Sequence, residues 1–221
     1  VIFSFGLNFC PTLTSMENLK NEGMAQKAHL TGDVMCDSVN NKQVSEEEQY
    51  IILNKYGIER NNYVLLTLHR PQNVDDPSKL VQFMAAISQI NKPILWPLHP
   101  RTRANLVENG IDNLVPKNVT VCDPIGYRDM ICIVKNSQKV LTDSGGLQKE
   151  AYIMKKPCVT IRGETEWIET LKNNWNILVS DNFELLVEKV NGNTSVGAHQ
   201  NHYGDGRASN RIVQIIREHG S

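Results

Sequence analysis

Along most of the chain, short uninterrupted apolar runs alternate with longer segments whose apolar residues recur every three or four positions. "YVLLTL", "PILWPL", "VTVCD", "KVLTD", "PCVTI" and "NILVS" have strand length. A strand apolar at nearly every position is one covered on both faces. The intervening segments read as helices. In "DDPSKLVQFMAAISQINK", Asp76 is the expected cap and Pro77 the first helical residue, with Leu80, Val81, Met84, Ile87 and Ile90 on one face. "SEEEQYIILNKYG" carries a capping box, Ser45 with Glu48, and stops at Gly57, while "TSMENLKNEG" reads the same way from Thr14 and Glu17 to Gly23. "RTRANLVENG", "YRDMICIVKNS", "ETEWIETLKNN", "NFELLVEKVN" and the closing "SNRIVQIIREHG" complete the set of predicted helices. Strands alternating with helices in this way predict an α/β fold, a Rossmann-like parallel sheet with helices on both faces.

Composition narrows the class. With 221 residues the chain can bury a sizeable core, and 23 basic against 24 acidic residues leave a net charge of −1. That balance gives no reason to expect a nucleic acid or an anionic membrane as partner. The five cysteines are scattered, several within apolar runs and none in a CxxC pair, so reduced thiols are expected. The leading "VIFSFGLNFC" lacks a basic leader and a cleavage signal and is too short to span a bilayer. A soluble cytoplasmic protein is the expectation. No clustered ligand set calls for a metal, and no cofactor is expected.

In a parallel sheet, ligands bind beyond the carboxyl ends of the strands. Three predicted strands end there in polar residues: "YVLLTL" at His69-Arg70, "PILWPL" at His99-Pro100-Arg101 and "KVLTD" at Ser144-Gly145-Gly146. Two adjacent glycines at a helix start cost about 1 kcal/mol each relative to alanine. The cost is understandable if a ligand must approach the backbone, because a helix N-terminus offers unpaired N–H groups and a positive dipole end to an anion such as a diphosphate. Glu150, six residues past Ser144, is placed to accept hydrogen bonds from a ribose diol, or else is solvated, with Asp143 or Ser144 only capping the helix. Neither a Walker loop nor a GxGxxG fingerprint is present.

"TDSGGLQKEA", "LHRPQNVDD", "LHPRTR", "GETEWIE", "YGDGRAS", "FCPTLTSMENLKNEG" and "LTGDVMCDSV" together resemble the non-hydrolysing UDP-N-acetylglucosamine 2-epimerases over nearly the whole chain. The resemblance implies the C-terminal half of a two-domain fold like that of B-type glycosyltransferases, with the nucleotide sugar in the cleft. It divides the chain into residues 1–30, the last strand and helix of an N-terminal domain, residues 31–205, the UDP-binding domain, and residues 206–221, a terminal helix. It assigns the diphosphate to Ser144, Gly145 and Gly146 and the ribose to Glu150, places His69 at the reacting centre, and puts Met130 near the uracil. Arg70 and His99 join the anion site on position and charge.

The family reaction eliminates UDP to leave a 2-acetamidoglucal and adds it back with inversion at C2, in the service of cell-surface polysaccharide synthesis. Its proton-transferring carboxylates belong to the first domain. Glu164, Glu166 and Glu169 are therefore expected to be solvated or helix-dipole partners. Where many members have "TERPE", this chain has Thr165-Glu166-Trp167-Ile168-Glu169, so Trp167 joins the substrate-binding set. The "TEW" form resembles relatives acting on modified UDP-hexosamines. The alternatives are the donor domain of a B-type glycosyltransferase and a non-catalytic UDP-sugar-binding subunit. Phe3, Phe5, Leu7 and Phe9 are expected as an exposed apolar patch, and Ile212, Val213, Ile215 and Ile216 as a partly uncovered helix face, favouring a homodimer.

Overall fold

The computed structural model describes residues 2–4, 6–193 and 195–219. These divide into two units, residues 1–43 with 200–221 and residues 44–199.

The first unit opens with β1 (Ile2–Ser4) antiparallel to β2 (Leu7–Cys10), and β3 (Ala28–Leu30) adds in parallel to β2. Between β2 and β3 runs α1 (Leu13–Asn21). Its cap is Thr12, two residues before the Thr14 expected. The Thr12 hydroxyl accepts from the Ser15 N–H at 3.2 Å, and the Ser15 side chain accepts from the Thr12 N–H at 3.0 Å. Serine stands in the position usually filled by Glu or Gln, so the Glu17 signal misplaces the box. Leu7 and Phe9 are buried rather than exposed, and the side chains of Phe3 and Phe5 lie outside the described residues. Asp33 then caps α2 (Val34–Asn41).

The second unit starts with α3 (Glu46–Lys55), closed at its N-terminus by the expected Ser45–Glu48 box. There follow β4 (Val64–Thr67), α4 (Pro71–Val74), α5 (Pro77–Ile87), β5 (Ile94–Pro97), α6 (Pro100–Glu108), β6 (Val119–Cys122) and α7 (Tyr127–Asn136). The second half comprises β7 (Lys139–Thr142), α8 (Gly145–Ile153), β8 (Cys158–Thr160), β9 (Asn176–Leu178) and α9 (Phe183–Asn191). The six strands lie in the order β6-β5-β4-β7-β8-β9, every pair parallel.

The uninterrupted apolar strands follow from two cores. Val64, Leu66, Ile94, Trp96, Leu141 and Val159 pack on one face with Leu80, Phe83, Met84 and Ile87 of α5 and Leu186 and Val190 of α9. Leu65, Leu95, Val140 and Cys158 pack on the other with Ile52 and Leu53 of α3, Cys132 and Ile133 of α7, and Leu147 and Ala151 of α8. Alternate residues of one strand thus feed opposite layers. Val81 departs from the expected stripe: it is 42% exposed, and Phe83 is buried in its stead. The segment 164–174 departs more. Glu164–Trp167 is not helical, and Ile168–Asn174 is a 3-10 turn broken at Lys172 and Asn173.

From β7, Lys139 reaches the end of α9, where its ammonium donates to the carbonyls of Lys189, Val190 and Gly192 at 2.6–2.9 Å. Burial pushes its pKa down to about 8.

The last helix, α10 (Ala208–His219), returns to the first unit. The Asp37 carboxylate on α2 accepts from the N–H groups of Ala208 at 3.0 Å and Ser209 at 2.7 Å, capping α10 from a distant part of the chain. Beside it, Gly32 and Gly204 bring two backbones into contact. Both have positive φ, +83° and +91°, and a Cβ on either would lie 3.1 Å from the other segment's backbone. These ties group residues 31–43 and 200–205 with the first unit, so the division falls elsewhere than at residues 30 and 205. On α10, Val213 is exposed and Ile212, Ile215 and Ile216 are half-buried. All five cysteines are free thiols, four of them buried. Among the described residues no helix is long and apolar enough to cross a membrane.

Candidate functional site

The strand order fixes where a site can form. From β4 the chain adds β5 and β6 on one side, then returns to add β7, β8 and β9 on the other. The connections leave β4 and β7 toward opposite sides, which opens a crevice at their carboxyl ends. A cavity of about 370 Å³ occupies this place. His69, His99, Met130, Ser144, Gly146 and Glu150, six of the residues expected from sequence, line it together with Thr67, Leu68, Pro97, Pro124, Ile125, Tyr127 and Leu147.

At its floor the ends of the two central strands are locked together. The Thr67 and Thr142 hydroxyls are 2.5 Å apart, and Thr142 also accepts from the Ser144 N–H at 2.9 Å. Ser144 is the N-cap of α8, its hydroxyl accepting from the Leu147 N–H. Asp143 plays a different part. Fully buried, it turns to the loop after β4 and accepts from the N–H groups of His69 and Arg70 and from the Asn73 amide, at 2.8–3.2 Å. It also pairs with His69 Nδ1 at 3.1 Å. Burial raises the Asp143 pKa, but these donors, the His69 imidazole foremost, hold it below the usual carboxylate value. The same hydrogen bond raises His69 above the usual imidazole value, against the opposing effect of burial. The site therefore favours a cationic imidazole at the cavity wall. The His99 ring lies 5.4 Å from it, centroid to centroid, and caps α6 through Nδ1, which accepts from the Arg101 N–H.

The two glycines of α8 have different surroundings. A Cβ on Gly146 would meet only the Ser144 hydroxyl, at 4.0 Å, so its backbone is open to the cavity. A Cβ on Gly145 would lie 3.4 Å from Trp167 Nε1, 3.6 Å from Glu166 Oε2 and 3.7 Å from an Arg162 nitrogen. Gly145, Arg70 and Trp167 are not lining residues. Arg70 donates through Nε to the Asp143 carbonyl at 2.9 Å. Trp167 lies under Lys149, whose ammonium is 4.0 Å from the ring centroid, and its buried indole N–H has no acceptor among the described residues.

The glutamates of that segment divide. Glu166 forms a bidentate pair with buried Arg162 at 2.8 and 3.0 Å, which holds its pKa at about 2, Glu169 is buried, and Glu164 is exposed. Glu150 is 9% exposed at the cavity wall, and burial lifts its pKa, offset in part by a hydrogen bond from Tyr127.

Sequence reasoning missed Asp143 as the anchor of the His69 loop, Arg162 behind Gly145, and the "DPIGY" loop that supplies Pro124, Ile125 and Tyr127. The last carried a signal: an edge strand followed by Pro and Gly at the sheet's ligand-binding end.

The chain matches the sequence profile of the UDP-N-acetylglucosamine 2-epimerases over residues 6–217. It is 39% identical over 213 residues to a UDP-N-acetylglucosamine 2-epimerase homolog of Methanococcus maripaludis, covering 95% of this chain and 60% of that one. It is also 39% identical over 218 residues to the UDP-2,3-diacetamido-2,3-dideoxy-D-glucuronate 2-epimerase of Pseudomonas aeruginosa, covering 94% and 58%. The crystal structure of Methanocaldococcus jannaschii UDP-GlcNAc 2-epimerase in complex with UDP-GlcNAc and UDP superposes with a TM-score of 0.82 at 32% identity, covering 96% of this chain and 61% of that one. The chain thus spans about three fifths of the length of these relatives. On the profile match and these likenesses, it belongs to the UDP-N-acetylglucosamine 2-epimerase family.

Proposed function

We propose that this chain is the nucleotide-binding half of a UDP-N-acetylhexosamine 2-epimerase and that UDP occupies the cavity at the switch point. The observation that carries the reading is the pairing, in one cavity, of a glycine-opened helix N-terminus with a wall carboxylate, Glu150. The diphosphate meets the backbone N–H of Gly146 and the imidazole of His69, whose bond to Asp143 favours its protonated form. The ribose diol donates to Glu150, and the base lies against Met130, Ile125 and Pro124.

In the family reaction the C2–H bond breaks, its electron pair forms the C1=C2 double bond, and the C1–O bond releases UDP. Re-addition reverses these changes with the proton on the other face. Fixed N–H groups and a cation aimed at the leaving diphosphate stabilise the charge that develops there. The sugar has a second reading beyond UDP-GlcNAc. The equal 39% identity to the P. aeruginosa enzyme, together with Trp167 in place of arginine, favours a 2,3-diacetamido sugar as the alternative.

Calorimetry with UDP, uridine and pyrophosphate tests the binding mode. Glu150→Ala should weaken UDP and uridine roughly tenfold or more, as for loss of hydrogen bonds to a charged group. It should spare pyrophosphate. Gly146→Val should do the reverse, blocking UDP and pyrophosphate while sparing uridine. Equal losses of all three ligands in both variants would overturn the assignment.

A further inference from the structure

Trp167 is held firmly, yet it keeps one hydrogen-bond donor unused. Its backbone N–H donates to the Thr165 hydroxyl at 3.1 Å, and its carbonyl accepts from the Thr170 hydroxyl at 2.6 Å. The ring packs on α8 under the Lys149 ammonium, 4.0 Å from its centroid. The indole N–H is fully buried and has no acceptor among the described residues. A donor buried in this way costs the fold free energy that a partner would remove.

The direction of that donor shows where a partner belongs. Nε1 is the first atom that a Cβ on Gly145 would meet, at 3.4 Å, so the N–H edge of the ring is turned to the start of α8. The N–H groups of Gly145 and Gly146 there precede the helix's own hydrogen bonds, and Gly146 opens on the cavity. The nearby Glu166 carboxylate does not take the indole hydrogen, because both its oxygens are bonded to Arg162, at 2.8 and 3.0 Å. That pairing neutralises Glu166 where an anion would approach, and Lys149 adds a positive charge over the ring.

We propose that Trp167 is a ligand-binding residue whose indole N–H donates to a phosphate oxygen of the diphosphate on the Gly145 side of α8, while Gly146 and His69 hold it from the cavity side. The identity of the anion as the diphosphate of UDP rests on the proposed function. An indole offers one donor and no acceptor, so the contact adds direction rather than charge. The short movement needed to meet the ligand falls to residues 163–167, a segment without helix or strand in which Gly163, Glu164 and Glu166 are exposed.

Indole N–H groups give separate signals in a 1H–15N correlation spectrum, and the chain supplies its own controls. It has three tryptophans. Trp175 already donates to the Gly197 carbonyl at 3.2 Å, and Trp96 carries a buried N–H without an acceptor among the described residues, packed on Phe83 in the core. Pyrophosphate added to the unaltered protein should move the Trp167 indole signal, identified by its nuclear Overhauser contact to Gly145, downfield together with the Gly146 amide. Trp96 and Trp175 should stay in place, and uridine should leave Trp167 unmoved. In calorimetry, Trp167→Phe should weaken pyrophosphate and UDP roughly tenfold, as for a lost hydrogen bond to a charged group, and spare uridine.

A Trp167 signal unmoved while pyrophosphate shifts the Gly146 amide would overturn the proposal and leave the UDP reading standing. Equal losses of pyrophosphate and uridine in Trp167→Phe would also overturn it, since a tryptophan that only packs would act on both alike. So would an indole signal that moves in Glu166→Gln and not with pyrophosphate, because the carboxylate would then be its acceptor. If neither Gly146 nor Trp167 responds to UDP or pyrophosphate, the proposed function falls and this assignment falls with it.

Discussion

Asp143 shows how one carboxylate can organise a site it does not enter. Four donors converge on it, two of them backbone N–H groups of the loop that carries His69. Asp143→Asn would turn an amide N–H₂ toward those donors, at a cost of about 3 kcal/mol by analogy with a broken buried ion pair. Urea denaturation near neutral pH should register that loss. The same variant has a pH signature. Because the His69 pKa is raised in the fold, first by its bond to Asp143, the stability it contributes is full below about pH 6.5 and is lost as pH rises through the higher folded value. Urea midpoints taken upward from about pH 6 should fall for the unaltered protein and fall less for Asp143→Asn. Parallel curves would show that the pair is not what tunes His69. His69, His99, Ser144, Gly146 and Glu150 were legible in the sequence because each follows a strand end at fixed spacing. The work of Asp143 was not, because it depends on the register of β4 against β7, which pairs Thr67 with Thr142 and so sets the next residue beside the His69 loop.

Elements announce themselves through their ends. Caps at Ser45 and Asp76 and the proline at residue 77 made α3 and α5 readable, since each satisfies or dispenses with an N–H that the helix leaves free. The stretch "ETEWIETLKNN" had a helical apolar spacing but no such device. Its backbone is extended at Lys172 (ψ 138°) and left-handed at Asn173 (φ 56°). Thr165, Thr170 and Asn176 there bond to Gln148, to Trp167 and to one another, an alternative to helix that spacing alone does not reveal.

At the other end of a helix, α9 relies on Lys139. A lysine in a central strand looks like an error in the apolar pattern, but its three hydrogens go to three carbonyls that the helix leaves unpaired. Lys139→Met should fill the space and leave those carbonyls without a donor, destabilising the protein by about 2–4 kcal/mol. A chemical-denaturation midpoint unchanged by that variant would mean that solvent satisfies them instead.

For the whole molecule, the alternating pattern made the parallel sheet readable from end to end, while its strand order came only from the coordinates. That order sets the catalytic reach of the chain. Among the described residues that line the cavity, Glu150 is the carboxylate. Taking and returning the C2 proton needs an acid and a base at hydrogen-bond range. We therefore expect the chain by itself to bind UDP-GlcNAc without exchanging its C2 proton. Proton NMR in deuterated water reads this directly, and deuterium appearing at C2 would show that this chain carries the acid and the base itself.

The cap that Asp37 gives to α10 also orders events during synthesis. Residues 44–199 hold all six strands of the larger sheet in one stretch, so they can close their two cores as soon as they leave the ribosome. β2 and β3, made before this stretch, belong to a unit that also draws on residues made after it. Until residues 200–221 arrive, the Asp37 carboxylate on α2 lacks the N–H groups it caps, and Gly32 lacks the backbone it packs against.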